Sequence, residues 1–373
     1  MAADDGEDEL AAWLRLLNVP TAGRQQIRRV LAEYGSPQAV LSAPRAQWRQ
    51  HFGEAGAAAL EADDERLRAE LDRARSWLAD AADRHWLALG DPRYPDALLQ
   101  TADPPLLLYL QGRVELLRTR CIAVVGSRNP TAQGADNARG FAEQLGRAGY
   151  TIVSGMALGI DAAAHLGALA AGSGTIAVVG TGLDRVYPRG NRDLAHRIAE
   201  SGLLVSEFAF GTPPLQPNFP QRNRIIAGLS LGTLVVEAAL QSGSLITAAQ
   251  AADANREVFA IPGSIHSPQA RGCHALLKQG AKLVETAQDV LDELDDLFAT
   301  APPPAATPEQ KAAPAAARDP VLEAMGYEPV GLDALQARTG LATGPLSARL
   351  LELELAGQVA RLPGGAYQRR AAG

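Results

Sequence analysis

The strongest constraint on the fold is an alternation in the middle of the chain. Ile122-Ala-Val-Val125 stops at Gly126, Tyr150-Thr-Ile-Val153 at Ser154-Gly155, and Thr175-Ile-Ala-Val-Val179 at Gly180. Further strands are expected at 203–205, 233–236, 258–261 and 282–284. A strand that is apolar at consecutive positions must be covered on both faces. The helical segments 131–148 and 160–171 supply that cover. The pattern predicts a doubly wound, mostly parallel α/β sheet with right-handed crossovers.

Ligands of such sheets bind beyond the carboxyl ends of the strands, so the glycine turns there come first. Gly126-Ser127-Arg128 offers a tight turn, a hydroxyl and a guanidinium. Ser154-Gly155-Met-Ala-Leu-Gly159-Ile-Asp161 is a second turn of phosphate size, with Asp161 placed to cap the next helix. Gly180-Thr-Gly182 is a third, and Ser242-Gly243-Ser244 with Thr247 adds hydroxyls at another helix start. Phe219-Pro-Gln-Arg222-Asn223-Arg224 runs into the apolar Ile225-Ile-Ala227. Two guanidinium forks and an amide at an expected helix N-terminus suit a phosphate. The Phe219 ring either stacks on a base or fills the core. Which of Arg222 and Arg224 meets a ligand, and which pairs with Glu207 or Glu237 at a strand end, stays open. Together these turns predict a polyanion site.

The net charge of −7 argues against nucleic acid until its distribution is read. Residues 120–285 hold 14 basic and 11 acidic side chains, whereas both flanks are acidic. Lysines occur only at 278, 282 and 311, so arginines carry the positive charge: Arg128, Arg139, Arg185, Arg189, Arg192, Arg222 and Arg224. No GxGxxG follows a strand, which argues against NAD. There is no Walker A motif, nucleophile elbow or HExxH, and the six histidines lack metal spacing. Neither cofactor, metal nor catalytic device is expected. Cys121 and Cys273 form no CxxC, which fits a reducing cytoplasm. The acidic N-terminus lacks the basic start of a signal peptide, and no apolar run reaches the roughly 18 residues of a membrane span.

The flanks divide the chain further. Residues 1–85 read as an N-terminal helical, SAM-like domain and 86–298 as the sheet-bearing core, with the proline-punctuated stretch 91–109 as a connector. A Pro/Ala-rich linker covers 299–318. Residues 319–373 read as three helices and a hairpin, a winged-helix-like unit. Its third helix sets Arg349 against Glu352 and Glu354. A DNA-reading helix should be basic, so protein contact is as good a role for this one as duplex DNA.

Across about 91–285 the motifs resemble the DNA processing protein A (DprA/Smf) family. They are Gly126-Ser-Arg128, 154–161, Gly180-Thr-Gly-Leu-Asp184, Tyr187-Pro188, Ser206-Glu207, 219–230, Glu237, 242–247 and Pro262-Gly263. The resemblance implies a Rossmann-like core that binds single-stranded DNA and is not an enzyme. It also implies loading of the RecA recombinase during natural transformation and recombination, and a homodimer formed through the core. Candidate DNA-binding residues are Gly126, Ser127, Arg128, Ser154, Gly155, Gly159, Arg189, Phe219, Arg222, Asn223, Arg224, Ser242, Gly243, Ser244 and Thr247. The competing enzymatic reading is a Rossmann-like nucleoside-monophosphate hydrolase. Gly232-Thr233 and Glu237 echo the turn of such enzymes, but Gly228-Leu-Ser230 stands where Pro-Gly-Gly would be expected.

Overall fold

A computed structural model of the chain describes residues 2–20, 22–296, 319–326, 329–362 and 365–370. The 299–318 linker lies outside the described residues. Two further strands, β1 (Arg84–Ala88) and β2 (Leu107–Gly112), join the apolar runs in one sheet: β3 (Cys121–Val125), β4 (Thr151–Ser154), β5 (Thr175–Val178), β6 (Leu203–Ser206), β7 (Gly232–Val235), β8 (Glu257–Ala260) and β9 (Lys282–Leu283). Their order is β1-β2-β6-β5-β4-β3-β7-β8-β9. From β6 to β9 all neighbours are parallel, while β1 and β2 add an antiparallel edge.

Two-sided burial explains the uninterrupted apolar runs. On β3, Cys121, Ala123 and Val125 face one cluster, with Ile225, Ile226 and Leu229 of the helix Asn218–Leu229. Ile122 and Val124 face the opposite cluster, with Phe141 and Leu145 of the helix Ala132–Arg147 and Ile160 of the helix Ile160–Ala171. The alternation has the two-residue period of a strand.

The stretch read as a connector is corrected. Residues 107–112 form β2, which pairs with β1 and β6 inside the same sheet. Leu106, Leu107 and Tyr109 share an apolar cluster with Leu10, Trp13, Ile27 and Phe52 of the N-terminal helices. The helical module therefore packs onto the sheet edge rather than hanging from a linker.

The C-terminal unit consists of helices Pro320–Met325, Leu332–Thr339 and Thr343–Leu355 with a small sheet. That sheet has β12 (Ala366–Arg369) between β10 (Val330–Gly331) and β11 (Val359–Arg361). Arg349 on the third helix is paired with Asp319 and Glu352. The unit touches the core through polar contacts. Gln133 N donates to Gln368 Oε1 at 3.2 Å, and Arg370 forms a forked ion pair with Asp136. No helix among the described residues is long and apolar enough to cross a membrane.

Candidate nucleic-acid interface

The chain runs one way from β3 to β4 and the other way to β7. The loops after β3 and β7 therefore diverge and open a crevice at the carboxyl edge of the sheet. A groove of about 880 Å³ lies there, with a smaller recess of about 130 Å³ at one end.

Arg222 forms the floor. It is only 4% exposed, and its Nη1 donates to Val178 O at 2.7 Å. Burial pushes its guanidinium down to about 10, with the Asp161 charge opposing that shift and Arg128 adding to it. It thus stays protonated at neutral pH. Gly155 makes room for it: a Cβ there would lie 1.8 Å from Arg222 Nη1. Asp161 is buried beside it. Burial raises the Asp161 carboxyl, against the pull of Arg222.

The 154–161 turn is satisfied from within. Asp161 Oδ2 accepts from Gly155 N and Ala157 N, each at 3.2 Å. Asn191 Nδ2 donates to Met156 O and Ala157 O, and Ser154 Oγ donates to Val124 O. Three expectations are corrected here. These two N–H groups already have an acceptor, the Ser154 hydroxyl is fully buried, and Asp161 braces the loop rather than capping the following helix. Gly159 has φ 81°, and a Cβ on it would press on Ser127 O at 2.4 Å. Its role is close packing of two turns. Ser127 N similarly donates to Glu237 O at 2.8 Å. Gly126 needs its missing side chain, because a Cβ would meet Glu237 O at 2.8 Å.

Above the floor stand aromatic rings and an exposed cation. The Phe219 and Tyr187 rings have centroids 5.8 Å apart, and the Arg128 guanidinium lies 5.4 Å from the Phe219 centroid. Phe219 is half-buried and Tyr187 is 44% exposed, so both offer ring surface to the groove. The opposite wall carries Asn223, Ser242, Gly243, Ser244 and Thr247, together with Gln241, which sequence reading passed over. Ser242 Oγ and Ser244 Oγ are 2.7 Å apart. Tyr187 is a site residue that its Tyr187-Pro188 motif does not mark as one. Its aromatic partner 32 positions on in sequence is visible only in three dimensions.

Two expected residues lie elsewhere. Arg189 is exposed but outside the groove lining. Arg224 does not face Arg128 across the sheet edge. It is bound to Glu207 and to Asp103 on the outer side of its helix. The helix begins at Asn218, so the Arg222-Asn223-Arg224 triplet lies within it and not at its start. Residues two apart on a helix point to opposite sides, which separates the two arginines. Glu237 is also committed, because its carboxylate accepts from Thr131 N and Thr131 Oγ1 at the start of the helix Ala132–Arg147. Among the described residues no cluster of side chains could hold a metal ion.

Behind the floor, His165 is fully buried. Thr175 Oγ1 donates to Ile152 O, so His165 Nδ1 is the donor in its 2.8 Å contact with Thr175 Oγ1. Burial, reinforced by the Arg222 charge, pushes this imidazole down to about 3. An unfolded chain takes up that proton near pH ~6.5, so stability is complete above that pH and falls by ~1.4 kcal/mol per pH unit as pH drops towards 3. His165→Gln is expected to remove one proton from this dependence in urea melts between about pH 6 and 4. An unchanged slope would show that the folded protein accommodates the imidazolium.

The model for DNA recombination-mediator protein A matches residues 85–295, the stretch that builds the sheet and the groove. The chain belongs to the DNA recombination-mediator protein A family. A second model, the DprA winged helix domain, matches residues 301–365. The protein Smf of Escherichia coli is 41% identical over 309 residues, 82% of each chain. The DNA processing protein DprA of Streptococcus pneumoniae is 48% identical over 205 residues, covering 55% of this chain and 72% of that one. The crystal structure of the S. pneumoniae DprA superposes with a TM-score of 0.65 at 40% identity, over 75% of this chain and 95% of that one. A structure describing the single-stranded DNA binding mode of Helicobacter pylori DprA superposes with a TM-score of 0.52 at 31% identity, over 57% and 96%. The α/β core and the C-terminal winged helix are thus those of the DprA family.

Proposed function

We propose that the groove binds single-stranded DNA and that the protein presents the strand for recombination without catalysing a reaction. One observation carries this reading: the exposed Tyr187 ring and the half-buried Phe219 ring stand beside the exposed Arg128, over a floor charged by buried Arg222. Rings that stack on any base, next to a cation for the backbone, are the equipment of a sequence-tolerant single-strand binder. The H. pylori relative is described as binding single-stranded DNA, which supports the same assignment. Phosphates would meet Arg128, the Ser242 and Ser244 hydroxyls and the Asn223 amide. The N–H groups of Gly155 and Ala157 are not part of the contact. The Glu237 carboxylate, on which the hydrolase reading depended, is tied to Thr131, and this favours binding over hydrolysis.

Family membership supports the wider role: loading of RecA during natural transformation, in the cytoplasm, by a homodimer formed through the core. β9 lies at one edge of the sheet, with Leu283 54% exposed, and that edge would suit a second copy. Two grooves on one particle would raise avidity for a long strand.

Labelled oligo-dT titrated at several salt concentrations tests the groove. Arg128→Ala is expected to weaken binding about tenfold and to reduce the slope of log K against log salt by about 0.7, the value for one phosphate contact on a single strand. Unchanged affinity in this variant would remove the groove from consideration. Release of free base from nucleoside monophosphates would restore the enzymatic alternative.

A further inference from the structure

Resting on the single-strand reading of the groove, we infer that Arg224 is a positioning residue. Its clamp on Glu207 and Asp103 sets the helix Asn218–Leu229 so that Phe219 and Arg222 stand in the groove. The helix is pinned at two points on opposite sides. On the inner side Arg222 Nη1 donates to Val178 O at the end of β5. On the outer side Arg224 Nη2 donates to both Glu207 oxygens just beyond β6, and Arg224 Nη1 donates to Asp103 O. Both ends of this outer contact are shielded, with the Arg224 side chain 14% and the Glu207 side chain 10% exposed.

The outer clamp is itself held by the N-terminal module. Arg24 and Arg28, from the helix Arg24–Tyr34, pair with the Asp103 carboxylate at 2.7 and 2.6 Å. Arg24 also lies 3.8 Å from Glu207. On the groove side, Ser206 Oγ, next to Glu207, donates to Thr181 O at 2.6 Å, and Thr181 lines the recess beside Phe219. Ion pairs and hydrogen bonds thus link the helical module through Asp103 and Glu207 to Arg224, and the chain step from Glu207 to Ser206 continues to Thr181 at the aromatic end of the groove. A guanidinium that resembles a phosphate ligand in the sequence is spent on the frame.

The salt series on labelled oligo-dT separates the two roles, because a direct phosphate contact contributes to the slope and a positioning contact does not. Arg224→Ala is expected to weaken binding at least about fivefold with the wild-type slope. Glu207→Gln, which leaves every groove residue in place, is expected to reproduce that loss. Arg224→Lys is expected to fall short of wild type, since an ammonium keeps the charge but not the fork. A slope reduced by about 0.7 in Arg224→Ala, with wild-type binding by Glu207→Gln, would make Arg224 a direct contact and overturn the inference. Wild-type affinity in both Arg224→Ala and Glu207→Gln would overturn it as well. Should Arg224→Ala fail to fold, the Glu207→Gln and Arg224→Lys pair still decides. Failure of the unsubstituted protein to bind oligo-dT would instead reject the groove reading itself, and the positioning role with it.

Discussion

Arg222→Ala is expected to abolish oligo-dT binding and to lower stability by about 1–3 kcal/mol, the range for leaving a buried polar group without its hydrogen-bond partner. The loss has two sources. Val178 O is left without its donor, and Asp161 is left as a buried carboxyl without its counter-charge. The second source can be relieved separately. In Arg222→Ala, adding Asp161→Asn is expected to recover part of the urea midpoint and none of the binding. Gly155→Ala should resemble Arg222→Ala in binding, because a methyl group there takes the space of the guanidinium. An Arg222→Ala protein with a wild-type midpoint would mean that the buried guanidinium does not stabilise the fold. Wild-type affinity in the same protein would mean that the floor charge is irrelevant to the ligand.

Phe219→Ala is expected to weaken oligo-dT by roughly fivefold to hundredfold, since stacking of one base on an aromatic ring supplies about 1–3 kcal/mol. The salt slope should stay at the wild-type value, because no phosphate contact is lost. Phe219→Tyr preserves the ring and should bind nearly as wild type. The ring is only half-buried, so its truncation should cost less stability than truncation of a core phenylalanine, about 3–5 kcal/mol. An affinity loss that simply tracks a loss of folded protein in urea melts would place Phe219 with the core and leave Tyr187 as the stacking ring.

The core was legible because both sheet faces are covered. Two-sided burial leaves consecutive apolar residues, and the following crossover needs a turn, so strands such as 121–125 announce themselves at both ends. The β1–β2 pair was not legible. Arg84-His-Trp-Leu-Ala88 is an edge strand with three half-buried residues at its start, and it follows directly on a helical pattern. Its partner was hidden among prolines. In the groove, the turns and arginines could be located but their hydrogen-bond partners could not. Whether the N–H groups of Gly155 and Ala157 point at a ligand or at Asp161 depends on how the 154–161 loop closes over the start of its own helix. The arginine two positions from Arg222 falls on the other side of the helix by geometry alone. Which side faces the groove is decided by Glu207 and Asp103, and neither is near in sequence.

The self-satisfied 154–161 loop has a thermodynamic consequence. A phosphate-binding loop that waits for its anion must be ordered by it, and that ordering subtracts from affinity. Here Asp161 and Asn191 hold the backbone in place through hydrogen bonds within the protein. The groove wall is therefore preorganised, and an arriving strand bears only its own loss of freedom. Association should then proceed without a slow protein rearrangement, and differences among groove variants should be expressed chiefly in how fast the strand leaves.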